Sequence, residues 1–307
     1  MKYCPMLSRR NVRIKVMQVL YAAQRQGFST PNAYVSLLNS MTRNTFKLYL
    51  ENLLIFQRVC EYAKHDFATR QAKLRPTEED KSFRPVLADN QCVQSLSDNN
   101  DLSQIYDRYG VRSMIDADQI QSLYREFGKT DTHQSFLEIP NPSNEETKTL
   151  LLALYKWLQK QDLFLNMVED QFPLWNEDKS LVIGAMKKTI KSMPVDASFY
   201  HDYESPSEAI TDFGRPLLRF VVEAEETLLE RIKTVLQNWD ADRVAIVDMI
   251  LLKMAVGEFT QFPAIAPEVT INEYIDISKA YSTPKSREFI NGVLDNLKKQ
   301  LEKEGLI

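Results

Sequence analysis

Glycine is scarce in this chain, with 8 residues among 307, where about 7% is usual. That leaves little material for glycine-dependent turns and phosphate loops, and it counts against a dinucleotide-binding or P-loop enzyme. Cysteine is scarce too. Cys4, Cys60 and Cys92 are odd in number and widely spaced, so they offer neither a disulfide framework nor a zinc pattern and fit a reducing compartment. No run of 18 apolar residues exists, so no helical membrane span is expected. The N-terminus has Lys2, Arg9 and Arg10 but no apolar segment behind them, unlike a secretory leader. A cytoplasmic protein without membrane contact is expected.

What is present has the balance of a globular protein: 44% hydrophobic and 26% charged residues. The net charge of −4 hides an asymmetry. Residues 1–50 contain eight basic residues (Lys2, Arg9, Arg10, Arg13, Lys15, Arg25, Arg43, Lys47) and no Asp or Glu, which leaves 30 basic against 42 acidic residues in the remainder. A basic head on an acidic body points to local contact with a polyanion; the alternative is a solvated basic helix face.

Low glycine beside abundant Leu, Lys, Glu and Gln, with no convincing strand alternation, predicts an all-α chain. The first helix starts after Ser8, an N-cap residue, and ends at about Gln26 before Gly27. Val12, Val16, Val19, Leu20 and Ala23 form its buried stripe. Arginines in its first turn oppose the helix macrodipole, which suggests that they serve something other than helix stability. Further helices are expected at 31–40, 43–72, 115–127, 145–172 and 177–192. Residues 76–100, with the run Ser97-Asp98-Asn99-Asn100-Asp101, read as an exposed connection. Ser205-Pro206-Ser207-Glu208 opens a long helix to about Asn238, bent or delayed by Gly214 and Pro216. The last three helices are expected at 240–261, 271–281 and 284–303, the final one with Thr283 as N-cap. Trp175, Asp178 and Lys179 recur 64 positions later as Trp239, Asp242 and Arg243, either a degenerate duplication or chance agreement between helical segments.

Two stretches at opposite ends resemble the NusB family of transcription antitermination factors. The first is Ser8-Arg9-Arg10-Asn11-Val12-Arg13-Ile14-Lys15-Val16-Met17-Gln18-Val19-Leu20-Tyr21. The second contains Trp239, Asp242, Arg243, Leu251-Leu252-Lys253-Met254-Ala255, Glu258, Ile271-Asn272-Glu273, Ser278-Lys279 and Phe289-Ile290-Asn291-Gly292-Val293-Leu294-Asp295. Asn-Gly inside an apolar helical run is costly in isolation, so amphipathicity alone does not account for it. Phe213-Gly214-Arg215 with Leu217-Leu218 is similar to the family's long third helix. Two departures stand out: Tyr21 and Phe213 are 192 positions apart where the family has a few dozen, and position 11 is Asn where a third consecutive arginine is expected. The resemblance implies a two-lobed helical bundle, with residues 1–45 and 206–307 forming the family fold around a helical insertion at 46–205.

It also implies a function. NusB-like proteins bind the boxA element of nascent single-stranded RNA with a small-subunit ribosomal protein acting as NusE. Together they join the RNA polymerase elongation complex and other Nus factors, chiefly on ribosomal RNA operons. By the resemblance, Arg9, Arg10 and Arg13, helped by Lys2, contact the RNA backbone. Lys285, Ser286 and Phe289 hold RNA at the start of the last helix, where free N–H groups also suit phosphate. Phe289 has two readings, a base-stacking ring or a core residue beside Ile290 and Leu294. Tyr21 and Asp248 match positions that face the ribosomal protein; their other reading is a half-buried Tyr and a solvated charge. Trp239, Arg243, Asn272, Glu273 and Asn291 read as structural, tying helices together.

No catalytic pattern competes. His65, His133 and His201 lie in no metal-binding spacing, and no G-x-S-x-G element occurs, so no enzyme activity and no cofactor are expected. The NusB-like accessory domain of an RNA cytosine methyltransferase would need a glycine-rich catalytic domain that is not here. A protein-interaction scaffold that kept the fold and lost RNA binding is the remaining alternative.

Overall fold

The computed structural model describes residues 6–27, 30–173, 175–204, 207–236 and 243–307. Lys2, Cys4, Ser205, Pro206, Asn238, Trp239 and Asp242, named above, lie outside them. The chain divides into two compact units: Met1–Met6 with Asn44–Glu204, and Leu7–Arg43 with Ser205–Ile307. No strand occurs among the described residues, as the composition predicts.

Helix α1 (Arg9–Gln26) keeps both expected ends. Ser8 caps it, and Gly27 takes the left-handed conformation with its N–H on the Ala23 carbonyl. Asn11 occupies the third helical position and completes a reciprocal capping box, its Oδ1 accepting from the Ser8 N–H at 3.1 Å. The residue that departs from the arginine cluster therefore satisfies an orphan helix-end donor.

Helix α2 (Pro31–Gln71) is continuous over 41 residues, where two helices separated near 41 were expected. No Gly or Pro interrupts residues 32–71. The polar stretch at the supposed gap is satisfied internally, since Thr42 Oγ1 donates to the Asn39 carbonyl at 3.0 Å, a back-bond that a helix tolerates.

The unit containing residues 44–204 wraps short helices around the second part of α2, which is buried on every side from Leu48 to Gln57. These are α3 (Glu78–Ser82), α4 (Gln91–Ser97), α5 (Asn100–Tyr109), α6 (Ala117–Gly128), α7 (Asp131–Leu137), α8 (Asn144–Leu158), α9 (Asp162–Gln171) and α10 (Trp175–Ser192). Three of them fall in or at the edge of the polar stretch expected to be a connection. Its polar residues are caps: Thr77 for α3, Asn90 for α4 and Asn99 for α5, each accepting from a backbone N–H of the first turn. Trp175, Tyr49, Tyr106 and Tyr155 are among the large fully buried side chains of this core. Asp178 accepts from Thr45 Oγ1 at 2.6 Å.

The second unit joins α1 and residues 31–43 to the C-terminal helices. A π-helical turn, Ala209–Gly214, leads into α11 (Arg215–Glu223), and α12 (Glu225–Val235) follows after a break at Ala224. The expected long helix is thus delayed at Gly214 and Pro216 and interrupted once more. Gly214 is required by packing: a Cβ there would stand 2.5 Å from Val12 Cγ1 of α1. The core helix α13 (Ile246–Gln261) is buried from Ile250 to Phe259. It is flanked by α1, α11, α14 (Pro267–Tyr281) and α15 (Ser286–Lys303).

Candidate nucleic-acid interface

The site is built from the first turns of α1 outward. Arg13 shares a helix face with Val16, Met17 and Leu20, three, four and seven positions on, which are buried. Its guanidinium is therefore carried into the core, where only 3% of the residue is exposed. There it forms a fork with Glu258 of α13, Nε to Oε2 at 2.8 Å and Nη2 to Oε1 at 2.5 Å. Glu258 also accepts from Thr270 Oγ1 at 2.8 Å and from the Tyr274 hydroxyl at 3.0 Å. Glu273 adds a second carboxylate 3.5 Å from Arg13 Nη1.

The electrostatics follow from this crowding. Burial lowers the Arg13 pKa, but the bonds to Glu258 and the fields of Tyr274, Glu258 and Glu273 outweigh it and hold the guanidinium above its ordinary value. Burial, reinforced by the Glu258 charge, pushes the Tyr274 hydroxyl well above the usual range. The cluster is a buried charged hub that pins α1 to α13 and α14. Arg13 is thus withdrawn from the set of phosphate-facing arginines: its buried guanidinium is hydrogen-bonded to Glu258 and ion-paired with Glu273 rather than presented at the surface.

Arg9 and Arg10 remain outside, both exposed. Arg9 and Arg13, one turn apart, flank the Phe213 ring at 5.8 and 5.0 Å from its centroid, a cation–π arrangement that orders the Arg9 stem. Arg10 Nη1 lies 3.4 Å from Asp276 Oδ2 and 4.0 Å from Glu273. Such exposed pairs are worth about 0–1 kcal/mol, so Arg10 is positioned without being sequestered.

The residues expected at the last helix lie at its start, but Ser286 points inward. Ser286 is 2% exposed, and its hydroxyl donates to Asp248 Oδ2 at 2.6 Å. Asp248 is itself buried. The bond ties the start of α15 to the start of α13 through Asp248 Oδ2, and both side chains are buried, so neither is presented at the surface. Ten residues separate Asp248 from Glu258, about 15 Å along α13. The expected RNA residues therefore form two groups: Arg9 and Arg10 toward one end of α13, and exposed Lys285 with half-buried Phe289 toward the other. Half-buried Tyr21 accepts from Arg25 Nη2 at 3.1 Å and lies under its guanidinium.

Of the residues expected to tie helices together, Glu273 fills that role, whereas Asn272 and Asn291 are exposed, as is Arg243. A Cβ added at Gly292 would meet nothing within 4 Å, so the Asn-Gly pair faces outward and is not explained by core packing. Periodicity and motif spacing assign no role to Glu258, Thr270 or Tyr274. The one available signal is Glu258 itself, the single charged residue in the run Met254–Phe259. Among the described residues, no group of three or more His, Cys, Asp or Glu is placed to hold a metal ion, and no helix is long and apolar enough to cross a membrane.

Comparison with known proteins gives a consistent assignment. A family model described as the NusB family matches residues 145–299. The span opens inside the first unit, at α8, within the stretch expected to be an insertion, and it leaves out α1. A transcription antitermination protein NusB from Salinibacter ruber is 38% identical over 102 residues, 33% of this chain and 62% of that protein. The namesake from Koribacter versatilis is 32% identical over 110 residues, 36% of this chain and 75% of its own length. One from Bacillus thuringiensis is 40% identical over 94 residues, 31% and 72% respectively. The chain thus spans less than two thirds of the Salinibacter relative. No solved structure matches.

Proposed function

The chain belongs to the NusB family, and from that premise we propose that it acts in transcription antitermination as an RNA-binding factor. In this reading it takes boxA-type single-stranded RNA together with a small-subunit ribosomal protein in the NusE role. It then joins the RNA polymerase elongation complex with other Nus factors and supports processive transcription of ribosomal RNA operons.

The observation that carries the reading is the first turn of α1. Arg9 and Arg10 stand exposed on a helix whose position is fixed from below by the Arg13–Glu258 fork. Preorganised cations bind a polyanion at a smaller ordering cost than cations on a loose arm. Lys285 and Phe289 supply a second contact group, and Tyr21, at the far end of α1, faces the ribosomal protein.

Fluorescence anisotropy of a labelled boxA dodecamer against a scrambled one, with and without the ribosomal protein, tests the proposal. The expected result is tighter binding of boxA, sharpened by the partner. Equal binding of both RNAs with the partner still bound would favour a protein-interaction scaffold instead.

A further inference from the structure

A single carboxylate, Asp276 of α14, engages two cations from two helices. Its Oδ2 faces Arg10 Nη1 of α1 at 3.4 Å, and its Oδ1 accepts from Lys279 Nζ at 2.6 Å. The three side chains are comparably exposed, at 46%, 41% and 45% for Arg10, Asp276 and Lys279. The shared carboxylate keeps the two cationic heads no more than about 8 Å apart. Hydrogen bonding from Lys279, with a smaller effect of Arg10, holds the Asp276 carboxyl below its ordinary value. It is therefore an anion wherever RNA would be bound.

We propose that Arg10 and Lys279 form a two-cation seat for an RNA phosphate and that Asp276 occupies this seat in the RNA-free protein as an internal competitor. The inference rests on the RNA-binding reading above and adds two residues to it. A phosphate presents neighbouring anionic oxygens much as the carboxylate does, so it can take both cations once Asp276 turns out to solvent. The exchange is feasible because exposed pairs of this kind are weak, whereas a phosphate contact also releases condensed counterions. Asp276 cannot diffuse away, so it remains a repulsive charge beside the bound strand and limits affinity. Glu273 does not play this part, because it is also committed to Arg13.

The test compares the wild-type chain with Asp276→Asn, Lys279→Ala, the double variant and Glu268→Gln. Glu268 is an exposed carboxylate of the same helix paired with Lys298 instead, and so controls for general charge. Anisotropy is read on the boxA dodecamer and on a twelve-residue oligouridylate at several salt concentrations. Asp276→Asn is expected to bind both RNAs roughly three- to tenfold tighter, the effect of removing one nearby like charge. Adding Lys279→Ala should abolish most of that gain, and Glu268→Gln should change little.

Wild type that prefers boxA while Asp276→Asn binds no tighter keeps the RNA-binding reading and overturns the seat. An equal gain from Glu268→Gln also overturns it. Tightening by Asp276→Asn on both RNAs without boxA preference supports the seat and removes the sequence-specific reading. No binding by any variant removes both.

Discussion

The Arg13 guanidinium and the Glu258 carboxylate meet fork to fork, at 2.8 and 2.5 Å, across 245 positions of the chain. Removing one partner leaves the other charge buried and uncompensated, which costs about 3–5 kcal/mol. Arg13→Ala and Glu258→Ala should each lose about that much in urea unfolding. Arg13→Ala/Glu258→Ala together should lose less than the sum of the two single losses. Additive losses in that cycle would mean that the pair is not coupled.

Arg9 and Arg10 predict the opposite pattern. As exposed side chains, each replaced by Ala should change stability by no more than about 0.5 kcal/mol. Each should make the salt slope of RNA binding shallower by about 0.7. Unfolding midpoints and RNA titrations on the same preparations separate the two effects.

Two glycines should respond with opposite signs. At Gly214 an added Cβ would stand 2.5 Å from Val12 Cγ1, so Gly214→Ala should destabilise by about 1–3 kcal/mol through overpacking against α1. At Gly292, in the middle of α15, nothing lies within 4 Å. Gly292→Ala should stabilise by about 0.5–1 kcal/mol through lower chain entropy and better helix propensity. Thermal or urea midpoints of the two variants read both signs directly.

Glu51 predicts a pH dependence. It is fully buried in α2 and neither carboxyl oxygen has a hydrogen-bond partner. Burial, only partly offset by Lys47, pushes its carboxyl from the ordinary 4.5 up to about 8. The folded chain then keeps a proton that the unfolded chain releases. The contribution of Glu51 to stability is therefore fully present below about 4.5 and falls by up to about 1.4 kcal/mol per pH unit as pH rises toward 8. Glu51→Met should flatten that slope between pH 5 and 8 and raise the urea midpoint at pH 7. An unchanged slope would assign it to other groups.

The local rules were legible in the sequence wherever the cause is local. Ser8, Gly27 and the Val12–Ala23 stripe set α1, and Gly214 marks the disturbed start of the helix before α11. Legibility failed where partners are distant. The periodicity that buries Val16 and Leu20 also places Arg13 beside them, yet the carboxylate that makes this burial tolerable lies 245 positions away. Asp248 and Ser286, 38 positions apart, look in sequence like two separate surface residues and are one buried bond. The polar run around Asn99 was illegible for a different reason, since helix caps and loops draw on the same residue types.

The most direct test of the RNA interface is boxA affinity of Arg9→Ala/Arg10→Ala beside Arg13→Lys, across salt concentrations at a temperature where all are folded. The double variant is predicted to lose most of its affinity and about 1.4 of its salt slope. Arg13→Lys, a buried change, should bind RNA within about twofold of wild type, a difference below about 0.4 kcal/mol. Full affinity in the double variant would contradict an RNA interface at the first turn of α1.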